Sequence, residues 1–256
     1  MYKQQKKFVK KDDKTLLYQV FDTTKYMFIE DAEIGINQFG YVERINLQGK
    51  KDYIPENLHL FDSLERMVID LRNLKQFPDI SKIKSLKILK INISGIDEPI
   101  NVPKSYENIE HLYIKTATKL GHYSCPKSNI IFQKGIKIKE LTLRLGGKTD
   151  IIPSQTLKNL HYLKFLDLGF NKIKFVDLSI LPDSMEILDL SQNDLKNINL
   201  EKTPKSLKKI ILDENPLENP SQIREDGKRL GIRITIDDID NGVKVKVYEH
   251  YRWIEL

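Results

Sequence analysis

Three segments of this chain repeat one pattern at one spacing: LKFLDLGFN (163–171), MEILDLSQN (185–193) and LKKIILDEN (207–215). Asn171, Asn193 and Asn215 stand 22 residues apart each time. A fixed period of this length constrains the fold more than local propensity does. Each unit is one turn of chain that cannot bury its own apolar face, so the copies must stack. Weaker copies run backwards through Ile138-Lys-Glu-Leu141-Thr-Leu143, Ile109-Glu-His-Leu112-Tyr-Ile114, Leu86-Lys-Ile-Leu89-Lys-Ile91, Leu64-Glu-Arg-Met67-Val-Ile69 and Val42-Glu-Arg-Ile45-Asn-Leu47. Eight units therefore start at 42, 64, 86, 109, 138, 163, 185 and 207.

Within each unit the side chains alternate as a strand requires. Leu166 and Leu168 face a core, while Phe165, Asp167 and Gly169 face out. Stacked units set their strands side by side in a parallel sheet. The rest of each unit returns along the other side, adding apolar residues such as Leu178 and Leu181. The return path is longer than the strand side, so the stack is expected to curve with the sheet on its hollow wall. The asparagine stands where the chain leaves the strand, and a buried amide there needs backbone partners. Lys50, Arg72, Ser94, Ala117 and Gly146 occupy that position in the first five units. A regular asparagine ladder is thus expected only in the C-terminal third, with looser turns before it.

Over residues 42–230 the LxxLxLxxN units resemble the leucine-rich repeat family, in its short class of 22-residue repeats. The resemblance implies an α/β solenoid, a curved right-handed stack with a parallel sheet on the concave face. It also implies a protein-interaction scaffold or adaptor.

The segments outside the repeats divide the chain further. Residues 1–11 hold five lysines and no acid, while the whole chain carries +6, so the rest is near neutral. Such a tail is expected to be solvated. Residues 12–41 are expected to cap the stack. Asp12 or Asp13 can start a short helix whose Leu16, Leu17, Val20 and Phe21 share a face, and Ile34 and Ile36 lead through Asn-Gln-Phe-Gly into a hairpin with the first repeat strand. Repeats fill 42–231, with an irregular insertion at 117–137 that lengthens the fourth unit to 29 residues. Insertions in solenoids form surface loops that often bind. Residues 232–256 are expected to close the stack with a β-hairpin, since Ile232-Arg-Ile234-Thr-Ile236 and Val243-Lys-Val245-Lys-Val247 alternate on either side of an Asn241-Gly242 turn.

Four chemistries fail on spacing. Gly146-Gly147-Lys148-Thr149 looks like the end of a phosphate loop, but Thr142 stands where its first glycine belongs and no helix opens after it. DDIDNG lacks an oxygen ligand at Ile239, the third position of a calcium loop. His122 and Cys125 have no second pair for zinc. No nucleophile, zincin or glycosidase signature stands out, and the flanking segments are short for a catalytic domain. No enzyme activity, cofactor or metal is expected.

No run reaches the roughly 18 apolar residues of a membrane span, and no apolar stretch follows the basic N-terminus as a signal peptide needs. With the single Cys125, a reducing cytoplasm is the expected setting. The expected site is the concave wall. Arg66, Lys90, His111, Tyr113, Lys115 and Arg144 supply cations and an aromatic; Phe165, Asp167, Asp189 and Asp213 follow with an acidic stretch. Mixed charge with aromatic anchors is what protein interfaces use. A protein partner is therefore expected, bound by a monomer. The alternative is a nucleic-acid or anionic-surface binder using the lysine tail and the central basic band. Nucleic acid is disfavoured because few aromatics interleave the tail.

Overall fold

The computed structural model describes residues 32–49, 54–55, 57–71, 74, 77–94, 100–117, 130–145, 155–237, 239–240 and 243–244. Twelve strands carry the architecture: β1 (Ala32–Ile36), β2 (Val42–Gly49), β3 (Arg66–Leu71), β4 (Ile88–Ser94), β5 (Ile100–Val102), β6 (His111–Ala117), β7 (Ile130–Phe132), β8 (Glu140–Arg144), β9 (Phe165–Asp167), β10 (Ile187–Asp189), β11 (Lys209–Ile211) and β12 (Arg233–Thr235). Ten of them form one open sheet in the order β1-β2-β3-β4-β6-β8-β9-β10-β11-β12.

From β2 onward every neighbour in that sheet is parallel, and the register follows the sequence period. Ile45, Met67, Leu89, Leu112, Leu141, Leu166, Leu188, Ile210 and Ile234 stand opposite one another in turn. The first eight of these are buried. They are the fourth residue of each unit, so all eight units fall in phase. On the return side, short 3-10 turns at Leu58–Leu60, Lys104–Tyr106, Gln155–Asn159 and Leu178–Ile180 send Leu58, Tyr106, Leu157 and Leu178 into the same core. Each fully buried leucine or isoleucine contributes about 1.5–3 kcal/mol of hydrophobic stabilisation, which no unit could gain alone. The fold is a leucine-rich repeat solenoid.

The asparagines line up as the period requires. Asn193 Nδ2 donates to the Leu168 and Leu190 carbonyls at 3.0 and 2.8 Å, and its Oδ1 accepts from the amides of Asn171 and Ile173 at 3.1 and 2.9 Å. Asn171 bonds Leu143, Leu145 and Leu168 in the same way, and Asn215 bonds Leu190, Leu195 and Leu212. Each amide thus joins two rungs. A serine ladder runs beside it: Ser85, Ser184 and Ser206 donate to the carbonyls of Leu64, Leu163 and Met185 one rung earlier at 2.7–2.8 Å.

At the N-terminal side β1 and β2 form the expected antiparallel hairpin. Its turn is closed by Asn37, whose Oδ1 accepts from the amides of Phe39 and Tyr41, and by Gly40 at φ +86°. The expected helix of 12–22, the basic tail and the turn at Gly146-Gly147 lie outside the described residues.

Two regions differ from the expectation. The 117–137 insertion is not all loop: β7 pairs in parallel with β5 on the return segments, and Ile130, Phe132 and Ile136 enter the core. Ile114 to Phe132 spans 18 residues where Ile91 to Val102 spans 11, so the extra length lies between β6 and β7. His122 and Cys125 fall outside the described residues.

At the C-terminal side, Arg233–Thr235 is not a hairpin arm. It is β12, a ninth rung parallel to β11. Among the described residues the antiparallel pairing starts at Ile239 rather than 232: β13 (Ile239–Asp240) pairs with β14 (Val243–Lys244) across Asn241-Gly242, which with 245–248 lies outside the described residues. Before β12 comes α1 (Pro220–Leu230), which the sequence expectation did not include. Pro220 begins it at N1, and Gly231 ends it at φ +72° with its amide bonded to the Gly227 and Lys228 carbonyls. A β-carbon on Gly227 would lie 2.3 Å from Ile234 Cγ1, so α1 seats on β12 only because that residue is glycine.

Candidate functional site

The sheet register turns the outward residues into three columns. The first runs Arg44, Arg66, Ile88, His111, Glu140, Phe165, Ile187, Lys209, Arg233. The second runs Asn46, Val68, Lys90, Tyr113, Thr142, Asp167, Asp189, Ile211, Thr235. The third runs Gln48, Asp70, Asn92, Lys115, Arg144. All ten expected site residues fall on this face. Asp213 continues the third column two residues past the end of β11.

They do not form one cluster. β3, which holds Arg66, and β11, which precedes Asp213, are six strand steps apart, about 29 Å at 4.8 Å per step. Arg66 lies 3.8 Å from Glu43 rather than near the centre. Two groups form between these ends. In the first, Lys90 Nζ sits 4.9 Å over the Tyr113 ring, and His111 Nδ1 lies 3.1 Å from Glu140 Oε2. Ile88, Lys90, His111, Tyr113, Glu140 and Thr142 line a shallow pocket of about 30 Å³. That is room for a water or two, so the pocket can take the tip of a side chain but not a buried substrate.

The second group is Arg144 with Asp167. The guanidinium makes a two-pronged bond, Nη1 to Oδ1 and Nη2 to Oδ2, both 2.6 Å, with each side chain only about 15% exposed. Burial works against the charged guanidinium, but the Asp167 carboxylate outweighs it and Arg144 holds its proton harder than usual. Its other face lies 5.4 Å from the Phe170 ring. Asp167 Oδ1 also accepts from the Gly169 amide, and Asp189 Oδ1 accepts from the Ser191 amide. These carboxylates shape the strand exits as well as the wall. Asp189 has no such arginine; burial first, and the Asp167 charge second, push its carboxyl above the usual range.

Lysines and glutamates bordering these columns pair with each other. Along the start of the strands Lys87 bonds Glu65 at 2.9 Å, Lys139 bonds Glu110 at 2.7 Å, and Lys164 and Lys208 flank Glu186 at 3.1 and 2.7 Å. Each pair joins adjacent rungs at the same repeat position. The cations left facing out at the centre are therefore fewer than the sequence count. Ile88, Glu140 and Thr142 are the pocket residues that the sequence expectation missed. Aligning the rungs column by column brings them beside His111 and Tyr113, since Ile88 and His111 are both third in their units.

Among the described residues no group of three His, Cys, Asp or Glu side chains is placed to hold a metal ion, and no helix is long and apolar enough to cross a membrane. Nine parallel rungs among the described residues, a repeat-locked register and an asparagine ladder define the leucine-rich repeat fold. Several solved structures align with it. InlP of Listeria monocytogenes matches at 17% identity and a TM-score of 0.44, over 86% of this chain and 70% of its own. The leucine-rich repeat protein LIC12759 of Leptospira interrogans matches at 20% and 0.38, over 66% of this chain and 48% of its own. An internalin of L. monocytogenes, InlF, matches at 14% and 0.29, over 80% and 84%. No protein-family model matches the sequence, and no curated protein matches it.

Proposed function

We propose that this protein is a non-catalytic scaffold whose concave wall binds a protein partner, centred on Tyr113. One observation carries this reading. At the middle of an open wall, Tyr113 and its Lys90 neighbour stand beside Ile88, His111 and Glu140 around a depression too small for a buried substrate. An aromatic with an apolar and an ionic neighbour at the centre of a broad surface is the composition of an interface hot spot. Lys115, Arg144, Phe165 and Asp167 extend it toward the C-terminal rungs, while Arg66, Asp189 and Asp213 stand at its margins. The protein acts as a monomer in this reading, in a cytoplasmic setting that rests on the lone cysteine.

The nucleic-acid alternative is less favoured, because Arg144, Lys87 and Lys139 are already held by Asp167, Glu65 and Glu110. The test is a pull-down to identify a partner, followed by affinity measurement with Tyr113→Ala and Phe165→Ala. The expected loss is at least about 1–2 kcal/mol for Tyr113→Ala. Wild-type affinity in both variants removes the concave wall from the proposal. A steep loss of binding to oligonucleotide with rising salt supports the alternative instead.

A further inference from the structure

The sixth rung differs from the two that follow it where the chain leaves the strand. Phe170, Lys172, Lys174 and Phe175 are exposed there, around the buried Asn171 and Ile173. The same positions are Gln192, Asp194, Lys196 and Asn197 on the next rung, and Glu214, Pro216, Glu218 and Asn219 on the one after. Phe175 is 72% exposed and Phe170 48%, so two of the most exposed large apolar side chains among the described residues sit five residues apart on one loop.

Stability does not account for them. Phe170 has φ +59°, a left-handed conformation that a bulky side chain adopts at a cost. Asparagine or glycine would hold that turn with less strain and expose less apolar surface. The Arg144 contact returns only part of this, since it covers one face of the ring. Beside the two rings, Lys172 makes no ion pair among the described residues, whereas Lys196 on the next rung is bonded to Glu218 at 3.2 Å.

We infer that this loop is a second binding surface, which takes a short acidic peptide segment of a protein with one apolar side chain. Phe170 and Phe175 contact the apolar residue, and Lys172 meets the carboxylates. Charge sets both the sign and the length of the ligand. Lys172 favours an anion, and Asp194 and Glu218 on the following rungs bound the positive region on that side. A polyanion running along the stack would meet those carboxylates, so a nucleic-acid strand fits less well than a short peptide. The inference is independent of the concave-wall proposal, because Tyr113 takes no part in it.

The test uses the full chain, ¹⁵N-labelled, and a panel of fluorescein-labelled octapeptides with four Asp or Glu residues around a central Leu, Phe or Trp. Lysine-substituted versions and a labelled twelve-nucleotide oligo(dT) are the controls. The expected result is saturable binding of an acidic peptide, with amide shifts concentrated at 170–176 and weakening with salt. Phe175→Ser and Lys172→Glu should each weaken it at least about tenfold, and Tyr113→Ala should leave it unchanged. Phe170→Asn separates binding from folding, since it should raise the melting temperature while weakening the peptide. No saturable binding across the acidic panel overturns the inference. So does binding indifferent to Phe175→Ser and Lys172→Glu, or tighter binding of the oligonucleotide at this loop.

Discussion

The N-terminal and C-terminal rungs of this solenoid solve the same problem in different ways. In the sheet, β2, β3, β4 and β6 are 8, 6, 7 and 7 residues long, while β9, β10, β11 and β12 are 3 each. The difference follows from what stands after the strand. In the C-terminal rungs an aspartate loops back to the amide two residues on at Asp167 and Asp189, residues 170, 192 and 214 turn left-handed, and the asparagine takes over the backbone groups. The ladder of strand bonds is handed early to side chains. In the N-terminal rungs no asparagine is available, and the backbones go on pairing with each other, as in Asn92 with Lys115 and Ile93 with Thr116. Buried peptide groups need partners either way. Where the sequence supplies an amide, after β9, β10 and β11, the strand can stop. Where it does not, in β2, β3, β4 and β6, the strand runs on, and β12 at the sheet's end, without an asparagine, stops where β11 does.

The largest expected effect is common to both regions and tests the shared frame. Leu190 is fully buried within the stack. Leu190→Ala should destabilise by about 2–5 kcal/mol, read by chemical denaturation. A loss under about 1 kcal/mol would mean that the rungs do not share one close-packed core. Asn193→Ala comes next and addresses the contrast itself. It removes the acceptor of the Asn171 and Ile173 amides, and one of two asparagine donors to each of the Leu168 and Leu190 carbonyls. The expected cost is about 3 kcal/mol, since each buried group left unpaired costs about 1–3 kcal/mol. Hydrogen exchange should show protection lost first at β9–β11 while β2–β6 keep theirs. Uniform loss along the chain would show that the two regions melt as one unit and that the asparagines are not a local device.

A third variant tests the end of the C-terminal region. Gly227→Ala places a methyl against Ile234 and 2.9 Å from the Ile232 carbonyl. The expected cost is about 1–3 kcal/mol, with α1 displaced from β12. Wild-type stability would mean that α1 can shift on the sheet at no cost.

The limits of sequence reading follow the same division. The alternation in LDL, LDL and IIL, with asparagines in phase, specifies strand, register and ladder together, because periodicity and polar satisfaction point the same way. The ninth rung was harder to see. Gly231 replaces the first leucine of the motif at β12, and the strand carries no asparagine, so Ile232-Arg-Ile234-Thr-Ile236 reads equally as a hairpin arm. The helix before it was legible in principle, with Pro220 at its start and Gly231 at its end. The 3-10 return turns of the other rungs gave no precedent for it. In the wall, columns were legible but pairings were not. Glu65 with Lys87 follows from the period once rungs are aligned, whereas the Arg144–Asp167 fork joins adjacent columns and depends on where the strand ends.

The smallest expected effect concerns Asp189, a wall carboxylate that makes no two-pronged bond to an arginine among the described residues. Asp189 is pushed above the usual carboxyl range by burial and by Asp167, whereas Asp167 itself is held by Arg144. An acid whose folded pKa is raised binds its proton more tightly in the native state. Stability therefore falls as pH rises from the ordinary aspartate value of about 3.9 up to the folded value, and the full penalty is present at neutral pH. Asp189→Asn should remove it while keeping an oxygen for the Ser191 amide. The expected gain at pH 7 is under about 1 kcal/mol, fading to nothing once pH drops below the unfolded value. The measurement is the difference in unfolding free energy between the two proteins across pH 3–8. A constant difference, or a loss at neutral pH, would show that Asp189 is held by a favourable contact. The C-terminal wall would then be as self-neutralised as the rows of paired charges at the strand starts.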